Sequence, residues 1–348
     1  MEVIDKVKYY TDDIESNALE ALKLFEAEEY IEKISVFPDI HYCSERSIPV
    51  GVAFKTTDVF YPLITGKDMG CGVGFFQIEK SDYLKPFDTI KHYRSLEKES
   101  RTMTDEGLGG GNHFLSIEES EKYLYIIVHT GSRNLGIHQY QQNLLLLQEN
   151  NPKKQWLPIE FATEEYKLRY GSVLNYALNR RLLFLINTLK FLKRNGYVRE
   201  DDNHRFYDSH HNSLEFINNG VIHRKGSTQL KNDPVAIPLS MTRGTLIVQH
   251  NKWDNGTEES LYSCSHGAGR LLSRTDTLKH WHSLKKSERD SYMKKFPELL
   301  NREGKFDSSL IQEFDFAYKN SDDILSSQPY LIKVDKTTPI ATVKFTAI

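Results

Sequence analysis

A carboxylate and a thiol three positions apart in a glycine run, Asp68-Met69-Gly70-Cys71-Gly72-Val73-Gly74, constrain this chain more than any other stretch. Glycines at 70, 72 and 74 permit positive φ and close backbone approach, so Asp68 and Cys71 can be turned toward one point as metal ligands. The competing account is a glycine-rich turn between two strands whose cysteine is merely buried, and an isolated short motif favours that account. Four further segments shift the balance: Gly109-Gly110-Gly111-Asn112-His113-Phe114, His129-Thr130-Gly131-Ser132-Arg133, His210-His211-Asn212, and Ser265-His266-Gly267-Ala268-Gly269-Arg270. Each sets an imidazole beside a small or polar residue.

Composition narrows the classes. With 348 residues, 39 % apolar content, 18 Phe and 19 Tyr, the chain can bury a substantial core. No run of eighteen apolar residues occurs, and Met1-Glu2-Val3-Ile4-Asp5-Lys6 lacks the order of a secretion signal, so the expectation is a cytoplasmic protein with no membrane partner. Three cysteines, at 43, 71 and 264, argue against a disulfide framework and fit a reduced thiolate at 71. The net charge is only −3, so a nucleic-acid partner would need a local basic surface.

Patterning predicts an amphipathic helix over 14–34, then strands over 48–54 and 59–64 that deliver the chain to the Asp68 loop, and a strand over 74–78 that leaves it. A helix is expected over 87–99, and strands over 112–117 and 123–128, the second ending at His129. The longest helix spans 164–195 and stops at Gly196; its arginines and lysines read as a solvated face, with direct RNA contact as the rival account. Strand material follows at 212–221, 235–237, 245–248 and 261–264, a helical insertion with loops at 278–310, and closing strands at 330–334 and 340–345. No internal repeat or linker stands out, so the reading is a single α+β domain over 1–348, with central β-sheets flanked by helices and the active site at strand ends.

One carboxylate, one thiolate and several imidazoles form a borderline-soft set that suits Mn, Zn, Fe or Co above Mg or Ca. Scattered over about two hundred residues, with no Cys-x2-Cys pair, they favour a catalytic site assembled from loops. A thiolate can bridge two ions, which permits a two-metal site that clamps phosphoryl oxygens. His266 is framed by small residues whose N–H groups can approach an anion, while Arg270 could fork onto phosphate. An imidazole held there could attack phosphorus; a histidine merely satisfied in a turn is the bland alternative.

With these segments in their order, the chain resembles the RtcB-type RNA ligases, tRNA-splicing ligases that use GTP and manganese. The likeness runs from about Pro38 to Lys344, with echoes at Asn175-Tyr176-Ala177, Asn179-Arg180, Arg224-Lys225-Gly226, Ile237-Pro238-Leu239-Ser240-Met241 and Ala317-Tyr318-Lys319. The resemblance implies that Asp68, Cys71 and His113 hold one Mn(II) and that Cys71, His129 and His211 hold a second, with Zn or Co as substitutes. It implies that His266 becomes guanylylated. Nucleotide contacts are implied at Asn112, His113 and Phe114, at His211 and Asn212, and at Pro238, Ser240, Met241 and Thr245. Further contacts are implied at His266, Gly267, Ala268 and Gly269, and at Tyr318 and Lys344. The implied reaction transfers GMP from GTP through the histidine to an RNA 3′-phosphate, and a 5′-hydroxyl then displaces it; a 2′,3′-cyclic phosphate is opened first.

Several residues depart from the family pattern. Ser116 stands where an acidic nucleotide contact is common, Leu239 and Thr245 alter the Pro-Gly-Ser-Met-Gly run, and Phe345-Thr346-Ala347-Ile348 replaces a final glycine. They point to a divergent, repair-type branch. The rival enzymatic reading is a metal-dependent RNA-end phosphodiesterase or cyclic-phosphate hydrolase without ligation, and the non-enzymatic one is an RNA-end-binding protein. An activating protein, the physiological RNA and the oligomeric state are left open.

Overall fold

The computed structural model describes residues 6–43, 47–301 and 303–344, so the tail Phe345–Ile348 lies outside the described residues. Helices and several sheets mix along the chain, an α+β protein as expected. At its centre is a five-stranded antiparallel sheet in the order Thr338–Val343, Phe114–Glu119, Tyr123–Thr130, Gly72–Glu79, His204–His210. Alternation along these strands separates two faces. Ile78, Ile117, Ile126 and Val128 pack with Phe184, Leu185, Leu189 and Leu192 of the long helix Glu164–Arg194. Val73, Phe75, Tyr125 and Ile127 instead meet Ala236 and Ile247 of a three-stranded sheet formed by Val235–Ser240, Gly244–His250 and Leu331–Lys336. The result is a helix, a sheet and a second sheet in layers.

A second five-stranded sheet, in the order Val7–Tyr9, Ile31–His41, Val50–Thr56, Gly220–Lys225, Asn212–Ile217, flanks this stack. Here the expected helix over 14–34 is corrected. The helix is Ser16–Glu26, which buries Ala18, Ala21, Leu22 and Phe25, and the chain then turns into the strand Ile31–His41. Its β-branched and aromatic run, Ile31, Ile34, Val36 and Phe37, fits a strand buried on both faces. The strand material expected over 212–221 forms a hairpin of Asn212–Ile217 and Gly220–Lys225.

Two elements gave no usable pattern. The strand His204–His210 is mostly polar. The helix Arg133–Asn150 buries Gly136, Gln139, Asn143 and Leu147 while Leu135, Ile137 and Leu145 face outward, so its apolar residues do not form the core stripe that betrays a helix. Gln139 donates to Asn143 Oδ1 and Asn143 to the Pro62 carbonyl, which satisfies those buried amides. Among the described residues no helix is long and apolar enough to cross a membrane.

The long helix starts where the Thr163 hydroxyl accepts from the Tyr166 N–H, and it gives way at Gly196, with φ +66°. Its arginines are only partly a solvated face. Arg180 and Arg181 are buried. Arg181 forks onto Asp208 at 2.5 and 2.8 Å and donates through its remaining nitrogen to the carbonyls of Gly70 and Thr130. Arg180 holds the carbonyls of Gly131 and Gly107 and reaches Glu106. The long helix therefore braces the glycine loops from inside. Replacing Arg181 by Met strands the buried Asp208 carboxylate and frees two carbonyls, and should cost about 3–5 kcal/mol. Urea unfolding should recover part of that loss in the Arg181→Met, Asp208→Asn double variant.

Candidate active site

The Asp68 loop gains its shape from two different uses of glycine. Gly70 adopts φ +67°, whereas Gly72 is extended and carries no side chain because a Cβ there would stand 2.4 Å from the Ser209 carbonyl oxygen. Cys71 thus immediately precedes the strand Gly72–Glu79, which pairs with Tyr123–Thr130 on one side and His204–His210 on the other. His129 comes from the neighbouring strand Tyr123–Thr130, and His113 immediately precedes the strand that pairs with it. His211 lies in the turn between His204–His210 and Asn212–Ile217, where its N–H donates to the Cys71 carbonyl at 2.8 Å.

These side chains form a continuous cluster. His113 Nε2 lies 3.0 Å from Asp68 Oδ2 and 3.3 Å from Cys71 Sγ. Cys71 Sγ lies 3.2 Å from His129 Nε2, which lies 3.3 Å from His211 Nε2. Donor atoms of Cys71, His113 and His129 all fall within 4.8 Å of one another. The His129 Nδ1–H donates to the Asn112 carbonyl, 3.1 Å away, which turns the Nε2 lone pair into the cluster.

Electrostatics suit a cation. Burial holds His129 and His211 well below the usual imidazole range, so both rings are neutral. Burial also pushes the Cys71 thiol up, so thiolate formation there depends on a nearby cation. Burial opposes ionisation of Asp68, but His113, Arg133 and His129 outweigh it and bring its pKa down to about 2. Asp68 Oδ1 and the Nδ1 atoms of His113 and His211 are buried without hydrogen-bond partners. One carboxylate, one thiol and three imidazoles converging in this way fit a divalent, borderline-soft ion, and no zinc-finger geometry is present in the cluster.

His266 extends the row. Its ring centroid is 4.8 Å from that of His211, so residues 71 and 266 share one site. Its Nδ1 stands 2.5 Å from Asp39 Oδ2, and the backbone N–H groups of His266 and Gly267 donate to the same oxygen at 2.9 and 3.0 Å. The loop's donors therefore already hold an anion, one supplied by the protein itself. Burial lowers the His266 pKa, yet Asp39 and the Gly226 carbonyl overcome it, and the net direction is up. Arg270 is likewise engaged: it donates to the carbonyls of Leu272 and Gln312, the Tyr318 oxygen and the Thr277 hydroxyl. It is a strut of the loop, and its expected free fork toward phosphate is not present.

A cavity of about 580 Å³ opens against this row, lined in part by Asp39, His129 and His266. Of the expected nucleotide contacts, Asn112, Phe114, Pro238, Ser240, Met241, Thr245, Gly267, Ala268, Gly269, Tyr318 and Lys344 also line it. His113, His211 and Asn212 do not. The first two belong to the ligand cluster, and Asn212 is a clamp that donates to the Asp68 carbonyl and accepts from the Gly226 N–H.

A model of the family described as tRNA-splicing ligase RtcB matches residues 77–345. The chain belongs to the RtcB family. Similar proteins include the RNA-splicing ligase RtcB2 of Escherichia coli, 25 % identical over 76 % of this chain and 75 % of that one. The RNA-splicing ligase RtcB of Escherichia coli is 28 % identical over 86 % of this chain and 87 % of its own length. The tRNA-splicing ligase RtcB of Methanococcus maripaludis is 29 % identical over 68 % and 59 %.

Within this RtcB family member, three acidic residues of the cavity escaped the sequence reading. Asp39 falls between the expected helix over 14–34 and the expected strand over 48–54, although an acid inside the apolar run Val36-Phe37-Pro38-Asp39-Ile40 signals a buried partner. Pro38 interrupts the ladder, and the pairing register shifts between Val36 and His41, beside which Asp39 faces the His266 loop. Glu313 joins Lys344 at 2.7 Å and Arg274 at 3.1 Å, and accepts from the Tyr318 hydroxyl. Burial raises its pKa, but Lys344, Tyr318 and Arg274 prevail and lower it. Glu118, also in the lining, accepts from the hydroxyls of Ser116, Thr245 and Thr337.

Gly131 supplies a test of the ligand cluster without touching a ligand. A Cβ there would fall 2.1 Å from Asp68 Oδ1. Gly131→Ala should displace that carboxylate and weaken divalent-ion binding about 10–100-fold, as read by Co(II) titration. Cys71→Ser should abolish the thiolate-to-cobalt absorption band.

Proposed function

We propose that this chain, as one RtcB-like domain, is a GTP- and Mn(II)-dependent RNA ligase that joins 3′-phosphate or 2′,3′-cyclic phosphate ends to 5′-hydroxyl ends. The observation that carries the reading is the placement of His266 between Asp39 and the ligand cluster, on the wall of a cavity large enough for a nucleotide. Family membership and the printed names of the relatives support the RNA-ligase class.

Asp39 engages Nδ1, which leaves Nε2 as the ring atom that attacks the α-phosphorus of GTP. A P–N bond forms, the P–O bond to the β-phosphate breaks, and pyrophosphate leaves with the electron pair. An oxygen of the RNA 3′-phosphate then takes the GMP and restores His266. That step gives the 3′-phosphate a leaving group, and the 5′-hydroxyl oxygen attacks it, releasing GMP and a proton. A cyclic end is first opened by water. Mn(II) ions held by Asp68, Cys71 and His113 and by Cys71, His129 and His211 would offset negative charge gathering on phosphoryl oxygens.

Incubation with α-labelled GTP and Mn(II) should leave an acid-labile label on the wild-type protein and none on His266→Ala. Asp39→Asn, which keeps the shape and removes the charge beside Nδ1, should label on the order of 10²-fold more slowly. No label with any divalent ion sinks the reading. Opening of cyclic phosphate without joined product turns it toward the hydrolase.

A further inference from the structure

Outside the row that holds the candidate ligands and His266, a second nucleophile stands against a buried amine. Cys43 is exposed, whereas Cys71 and Cys264 are buried. Lys225 is only 8 % exposed. Its ammonium has three N–H bonds to place, and they meet Cys43 Sγ at 3.3 Å, Ser47 Oγ at 2.5 Å and the Ile48 carbonyl at 2.8 Å. Of these acceptors only the thiol is readily oxidised. Burial pushes the Lys225 pKa down against the opposing pull of Cys43, which favours the neutral, nucleophilic amine. A sulfur open to solvent thus touches a nitrogen able to attack it.

The contact joins the two segments that hold His266. Cys43 follows the strand Ile31–His41, whose Asp39 engages His266 Nδ1. Lys225 ends the strand Gly220–Lys225, and the next residue, Gly226, has φ +60° and passes close beneath the ring: a Cβ there would stand 3.1 Å from His266 Cε1. Asn212 accepts from the Gly226 N–H and donates to the Asp68 carbonyl, so Gly226 is tied to the Asp68 loop as well. A covalent bond between Cys43 and Lys225 must close their 3.3 Å separation, and it draws on both supports of the ring at once.

We propose that Cys43 and Lys225 form a peroxide-responsive modification site, in which the lysine amine captures the oxidised sulfur as a sulfenamide and the bridge disables His266. The Cys43 sulfur attacks a hydroperoxide oxygen; an S–O bond forms, the O–O bond breaks, and the departing alkoxide takes the thiol proton and leaves as the alcohol. Sulfur is oxidised by two electrons and the peroxide is reduced by them. The Lys225 nitrogen then attacks the sulfenic sulfur; an S–N bond forms, the S–O bond breaks, and hydroxide leaves with an amine proton as water. A small thiol reverses the bridge by attacking sulfur and returning a proton to the amine, and a second thiol frees Cys43 from the mixed disulfide. Formation of the bridge is independent of the ligase reading, whereas its effect on His266 rests on that reading.

The test treats the intact chain with hydrogen peroxide and maps its peptides by mass spectrometry. The Cys43 and Lys225 peptides should appear joined, lighter by two hydrogen atoms than their sum, and should separate with dithiothreitol. Lys225→Arg keeps a cation beside the sulfur but removes the amine. It should give no joined peptide and about tenfold more dimedone adduct of the sulfenic acid at Cys43. Should that variant not fold, dimedone added to the wild type together with peroxide should label Cys43 at the expense of the joined peptide. Labelling of the oxidised wild type by α-labelled GTP should fall about tenfold and recover with dithiothreitol, whereas Cys43→Ser should keep its label through the same treatment. Absence of the joined peptide from the oxidised wild type overturns the proposal, as does an equal loss of label in Cys43→Ser. If no label forms before oxidation, the ligase reading fails, and the peptide map still decides the bridge.

Discussion

Crowding one thiol, three imidazoles and a carboxylate into a buried volume is opposed by desolvation of every member, and the rest of the structure works to hold them there. Arg181 is central to that task. From the middle of the longest helix it neutralises Asp208 and grips the carbonyls of Gly70 and Thr130, the residues adjoining Cys71 and His129. One guanidinium thereby fixes the relative position of two strands and of two candidate ligands. The charge is buried because its work is internal.

Asp39 plays the corresponding part for His266. Two backbone N–H groups donate to one carboxylate oxygen and the ring Nδ1 lies against the same oxygen, so the loop and the imidazole are oriented together. Gly269 is required for this approach: its φ is +74°, and a Cβ there would stand 2.9 Å from the Asp39 Cα. The glycines that suggest a phosphate cradle in the sequence are used to wrap the chain around its own acid.

At the far side of the cavity the acid–base balance is settled locally. Glu313 gathers Lys344, Arg274 and Tyr318, whereas Glu118 meets only hydroxyls. Two carboxylates on one cavity therefore have different chemistry. The first is charge-paired and braces the wall, and the second is held by hydroxyls.

Chemistry-bearing residues were legible because their types and glycine neighbours cannot be explained by packing: Asp68, Cys71, His113, His129, His211 and His266 all stand in one row. Strands with alternating apolar residues, such as Tyr123–Thr130, were equally plain, and the long helix declared itself through its period and its terminal glycine. The helix Arg133–Asn150 and the strand Ile31–His41 were not legible, since one buries amides and the other follows a helix without a strong break. Asp39, Glu118 and Glu313 carry no local mark. A carboxylate's role depends on whether its neighbours are an imidazole, hydroxyls or cations, and those neighbours lie up to 227 residues away in the chain. Residue identity and local spacing determined which groups could do chemistry; only tertiary packing decided which acid meets which partner, because burial and pairing are properties of the folded surroundings.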